Sequence, residues 1–172
     1  DGNFYRGRDV VVVGGGNSAL EEALYLSRIV NKVYIVHRRD AFRGAMVYQN
    51  KIREAANIEL VTGCVVEEIR GGSAGMDSVV VRRVDSGETR TIAAEGIFIY
   101  VGMEPISGYL PAGVDRDAAG FVKTDAEMCT NLPGIFAAGD IRSKRCRQVS
   151  SAVGDGATAA TAASSYLEHW NA

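Results

Sequence analysis

Four consecutive valines, Val10 to Val13, run directly into Gly14-Gly15-Gly16, and this junction constrains the fold more than any other stretch of the chain. An unbroken apolar run of strand length suits a strand buried on both faces, which is the situation of a central strand in a parallel sheet. From Ser18 the period changes. Ala19, Leu20, Ala23, Leu24 and Leu26 make one apolar face, while Glu21, Glu22 and Arg28 can point outward, as in an amphipathic helix. Asn31-Lys32 then turns into Val33-Tyr34-Ile35-Val36, a second strand. Residues 10–36 therefore read as a βαβ unit, for which a right-handed crossover is expected.

The pattern beyond it predicts a helix over 45–56 and a strand over 58–61. Period-two segments follow at 65–69, 78–84 and 89–93, with Gly71-Gly72-Ser73 and Asp85-Ser86-Gly87 as turns, so a small antiparallel meander is expected. Gly96 to Gly102 reads as another buried strand, and Met103-Glu104-Pro105 as a boundary or hinge. Later come a short strand at Gly120 to Thr124, a turn at Asn131 to Gly134, and a buried strand at Ile135 to Ala138 closed by Gly139-Asp140. A final helix is expected over Gln148 to Trp170. The division is 1–103 and 104–172, and the second part has too few strands to make a domain alone.

Composition excludes several function classes. Nineteen basic and twenty-one acidic residues give a formal charge of -2, with no long block of one sign to track nucleic acid. Cys64, Cys129 and Cys146 are widely spaced, which fits neither a zinc site nor a secreted disulfide framework and points to a reduced, cytoplasmic compartment. No metal site is expected. No apolar run approaches the roughly 18–20 residues needed to span a bilayer.

Gly14, Gly15, Gly16, Asn17, Ser18 and Ala19 form a G-x-G-x-x-A array directly after a buried strand. Gly14 allows the tight turn, Gly16 admits a pyrophosphate to the backbone, and Ala19 keeps the helix close to the sheet. The helix start supplies unpaired N–H groups and the positive end of the helix dipole. Glycines at such a turn can also be purely structural. At the end of the second strand, where an NAD site usually carries an acid, stand His37, Arg38 and Arg39, with Arg43 close behind. Guanidinium forks suit a 2'-phosphate, with His37 stacking or adding a donor, so the pattern points to NADPH. The alternative is a solvated basic patch partly paired with Asp40.

Taken in order, Asp1-Gly2 with Phe4-Tyr5-Arg6-Gly7, GGGNSALEEALYLS from Gly14, HRRDAFR from His37 and AAGDIRSKRCRQVSSAVGDG from Ala137 closely resemble the low-molecular-weight, bacterial-type thioredoxin reductases. The resemblance covers essentially the whole chain. It implies an α/β protein: a Rossmann-like three-layer NADPH-binding domain with a small antiparallel β-meander, followed by the C-terminal half of a split FAD-binding domain. It implies NADPH and FAD as cofactors, thioredoxin as electron acceptor and a homodimer. The redox C-x-x-C would stand immediately before Asp1, and the N-terminal FAD segment would also lie outside these residues. Asp1 becomes a candidate proton donor or acceptor beside that dithiol. Gly139 and Asp140 would hold the FAD ribityl chain, and Arg147, Gln148 and Val149 would sit beside the flavin ring. The family implies a large rotation between the two domains, with hinges near Gly102 to Pro105 and just before Asp1. A related NADPH-dependent flavin reductase, such as a ferredoxin-NADP reductase, and a non-catalytic NADPH-binding module remain alternatives.

Overall fold

In the computed structural model, which describes residues 1–170, the chain divides after Gly102 into two compact units. The first contains β1 (Asp9–Gly14), α1 (Asn17–Leu26), β2 (Lys32–His37), α2 (Met46–Glu54), β3 (Ile58–Thr62), β4 (Cys64–Gly72), β5 (Gly75–Arg83), β6 (Thr89–Ala93) and β7 (Gly96–Tyr100). Strands β3, β2, β1 and β7 lie side by side in that order, all parallel. The chain steps outward from β1 to β2 and β3, then returns to the other side of β1 as β7. The carboxyl ends of β1 and β7 therefore flank the point where the connection order reverses, the usual place for a ligand in an open α/β sheet.

The valine run is apolar throughout because β1 is covered on both faces. Val10 and Val12 pack with Ala19, Leu20, Ala23 and Leu26 of α1 and with Ile52 of α2. Val11, one step out of phase, packs with Val79 and Val81 of β5 and Ile92 of β6. Strands β4, β5 and β6 form the antiparallel meander that supplies this second cover. The unit thus has helix, parallel-sheet and antiparallel-sheet layers, the Rossmann-like three-layer arrangement with a meander that the sequence implies.

Three local expectations change. The strand read as buried over Gly96 to Gly102 ends at Tyr100 and is mostly half-buried, with Ile99 and Val101 exposed. The first hairpin turn is at Ser73-Ala74, with Gly71 and Gly72 inside β4 and paired to Met76 and Gly75. Register shifts between Val66 and Glu68 and between Arg70 and Gly71 let this strand extend farther than its alternating residues indicate. In the second unit, the expected strands at Gly120 to Thr124 and Ile135 to Ala138 are replaced by isolated bridges, Arg116 to Val122, Val122 to Arg142 and Cys129 to Phe136. Ile135 to Ala138 is half-buried, not buried. A ladder needs consecutive pairs on a neighbouring strand, and these short segments meet one residue at a time. Helix α3 (Val149–Trp170) completes the unit.

Leu20 is fully buried between α1 and the sheet. Leu20→Ala should lower unfolding stability by about 2–5 kcal/mol, read from a shift in the urea midpoint.

Candidate functional site

Three elements converge on the first glycine of the loop after β1. Gly14 has φ +145°, and a side chain there would collide with the Tyr100 carbonyl of β7 and come within 2.9 Å of the Ala19 methyl of α1. A side chain at Gly15 would collide with the His37 imidazole. Gly16, by contrast, faces open space. It is the N-cap of α1 and provides no side-chain cap, and the first turn carries no acid. Helix geometry leaves the N–H groups of Asn17, Ser18 and Ala19 without intrahelical carbonyl partners. An anion reaching this open end meets oriented donors and the positive helix terminus.

The loop after β2 is strapped to this glycine turn. The backbone N–H groups of Arg43 and Gly44 donate to the Gly15 carbonyl at 2.8 and 3.0 Å. Asn17 Oδ1 accepts from Ala45 N at 2.8 Å, so this side chain ties the two loops together while its own backbone N–H stays at the helix start. Buried Gln49 donates from Nε2 to the Gly44 carbonyl at 2.7 Å. The sequence reading missed Gln49. Its signal was a polar residue within a helix otherwise read for its apolar inner side.

The strapped loop carries Arg38, Arg39 and Arg43, all exposed. Among the described residues none of the three guanidinium groups forms a hydrogen bond or ion pair, and Asp40 pairs with none of them. His37 lies apart from these exposed side chains: it is 7% exposed, sits under Gly15 and stacks on Phe42 with ring centroids 5.4 Å apart. Burial pushes its pKa down and the three nearby guanidinium groups push the same way, against a hydrogen bond to the Ala41 backbone. Beside it, at the carboxyl ends of the parallel strands, is a cavity of about 340 Å³. Its wall includes Gly14, Gly15, His37, Arg43, Cys64 and Ile99.

In the second unit, Gly139 takes φ +78° and begins a short 3-10 turn, Gly139–Ile141. The Asp140 carboxylate is exposed and has no partner among the described residues. Arg147 lies over the Phe121 ring at 3.9 Å and donates to the Asp140 and Arg142 carbonyls. Gln148 and Val149 are exposed at the start of α3. The residue that organises this segment was not foreseen. Asp155 of α3 accepts from Gly139 N at 3.0 Å and pairs with Lys144 at 2.7 Å and Arg142 at 2.8 Å, all with side chains no more than 13% exposed. An acid on a helix and two cations in a preceding loop give no sequence signal that they meet. Asp1 lies at the chain start, where its backbone carbonyl accepts from Phe4 N at 3.1 Å.

Residues 3–156 match the family described as pyridine nucleotide-disulphide oxidoreductase. The chain belongs to this family. It is 42% identical over 168 residues to a thioredoxin reductase of Treponema pallidum, covering 98% of this chain and 54% of that protein. It is 44% identical over 170 residues to one from Listeria monocytogenes, covering 98% and 53%. Among solved structures, the thioredoxin reductase of Streptococcus pyogenes MGAS5005 superposes with a TM-score of 0.80 at 42% identity, over 98% of this chain and 55% of that one. The Lactococcus lactis enzyme gives 0.73 at 44% identity, covering 98% and 56%. The chain spans about half the length of these oxidoreductases.

The ion-pair cluster makes stability pH-dependent. Hydrogen bonding from Lys144, then Arg142 and the Gly139 N–H, holds the Asp155 pKa at about 2 against the opposing effect of burial. A depressed folded-state pKa stabilises the fold above the unfolded value of about 4, and this contribution disappears as pH falls from there through about 2. Asp155→Asn should lower Tm at pH 7 and flatten the fall in Tm across that acid window, measured by circular dichroism.

Proposed function

We propose that this chain is the NADPH-binding part, together with the C-terminal portion of the FAD-binding part, of a thioredoxin reductase. The observation that carries the nucleotide reading is the set of three unpartnered guanidinium groups on a loop strapped to an uncapped helix start. In this reading residues 1–103 hold NADPH. The N–H groups of Asn17, Ser18 and Ala19 receive the pyrophosphate, and Arg38, Arg39 and Arg43 receive the 2'-phosphate. Gly14, Gly15 and Gly16 keep that approach clear. His37 supports the turn from beneath, buried against Gly15.

Residues 104–172 supply the flavin side. The unpartnered Asp140 carboxylate suits acceptance of hydroxyl hydrogen bonds from a ribityl chain, and Gly139 gives it the required turn. Arg147, held over Phe121, fixes the segment leading to Gln148 and Val149, whose exposed helix start can face a flavin ring. When bound, NADPH supplies hydride and FAD relays two electrons toward a dithiol. In this reading Asp1 would serve as proton donor or acceptor near a redox dithiol. Thioredoxin as acceptor is proposed from the name of the matched reductases, and a homodimer and a cytoplasmic location belong to this proposal as what the family resemblance implies. Among the described residues no helix is long and apolar enough to cross a membrane.

Calorimetric titration of the chain should give much tighter binding of NADPH than NADH. Arg38→Ala with Arg39→Ala should weaken NADPH binding about 100-fold or more and leave NADH nearly unchanged, the loss expected for two charge-assisted contacts of about 1.5–3 kcal/mol each. Equal binding of the two nucleotides by the unaltered chain would overturn the specificity. In a longer protein containing this chain, NADPH consumption that depends on both FAD and thioredoxin disulfide tests the full activity.

A further inference from the structure

We infer that Gln49 of α2 is a positioning residue that aims Arg43 and so sets the preference of the site for a 2'-phosphorylated dinucleotide; the inference rests on the nucleotide reading above. Gln49 and Ile52 are the buried residues of α2. A buried amide is costly unless its groups are paired, and here each is. Nε2 donates to the Gly44 carbonyl at 2.7 Å and, at the long distance of 3.5 Å, to the Phe42 carbonyl. Oε1 accepts from the Arg53 guanidinium at 3.2 Å, which fixes the amide with its N–H groups toward the loop. One side chain thus holds the peptide groups on both sides of Arg43.

The residues flanking Arg43 are anchored as well. Phe42 stacks on buried His37, and Gly44 is buried against Leu20, where a side chain would collide with the leucine. Arg43 donates its own N–H to the Gly15 carbonyl at 2.8 Å. Its guanidinium remains exposed, with no hydrogen bond or ion pair among the described residues. A fixed attachment lowers the ordering cost of a rotamer-rich arginine when it meets an anion. That gain goes only to a ligand that reaches the guanidinium. NADPH carries a 2'-phosphate for this contact and NADH has a hydroxyl there, so a clamp acting through Arg43 moves the ratio of their affinities. A residue that only held the fold together would weaken both alike, because both use the N–H groups of the glycine turn.

The test is calorimetric titration of the full chain with NADPH and with NADH, for Gln49→Met, Arg43→Ala and the double variant. Methionine keeps an unbranched side chain but donates no hydrogen bond. Gln49→Met should lower the NADPH-to-NADH affinity ratio about 3–10-fold, the scale of one hydrogen bond's net contribution. In the Arg43→Ala background the same change should lower the ratio no further. An unchanged ratio in Gln49→Met would overturn the assignment, as would an equal fall with and without Arg43. If Gln49→Met proves unfolded by circular dichroism, Arg53→Met decides, since Arg53 is exposed and its loss frees the amide it orients. A ratio unchanged by Arg53→Met, or a fall that persists without Arg43, overturns the assignment; a fall that vanishes without Arg43 supports it. Equal affinities of the unaltered chain for the two nucleotides would overturn the nucleotide reading and this assignment together, whereas a preference for NADPH undiminished in Gln49→Met overturns the assignment alone.

Discussion

Burial of β1 on both faces is the constraint from which the first unit follows. Val10, Val11 and Val12 are all fully buried, each gaining about 1.5–3 kcal/mol at most from removal of its side chain from water. That gain requires two covers. The helices supply one through Leu20 and Ile52, and the meander supplies the other through Val79 and Val81. With its sides closed, β1 can present polar backbone to a ligand only at its carboxyl end, where Gly14 turns the chain.

The chemistry at that end depends on a few backbone contacts. One carbonyl, Gly15 O, receives two N–H groups from the arginine loop, while Asn17 and Gln49 hold the same loop from either side. The loop is therefore positioned by groups other than its guanidinium groups, which stay unpaired. This division of labour suits anion binding, because cations already neutralised by carboxylates would have to give up those partners first. The second unit uses the opposite device. Its cations Arg142 and Lys144 are consumed by Asp155, which organises the turn at Gly139 and leaves the Asp140 carboxylate available.

Much of the first unit was legible because its signals are local. A valine run, a change from period two to helical period, and glycines at the junction each identify an element without knowledge of its neighbours. The hairpin turn was displaced because register shifts depend on the facing strand. The second unit was less legible for the same reason: Gly120 to Thr124 and Ile135 to Ala138 have strand-like residues, but a strand exists only when a partner runs alongside. At the candidate site, the arginine trio was visible as cations at a strand end. The burial of His37 under Gly15 and the straps from Asn17 and Gln49 were not, since each joins residues remote along the chain.

By itself the sequence determined the order of strand, glycine turn, helix and basic strand end, because hydrophobic period and glycine conformational freedom act over a few residues. Only the tertiary structure decided which cations remain free, which acid organises the second unit, and which cysteine faces a cavity. Those outcomes depend on through-space pairing and burial: among the described residues Arg38, Arg39 and Arg43 are left unpaired, Arg142 and Lys144 are captured by Asp155, and Cys64 is placed in the wall of the cavity at the sheet's carboxyl edge.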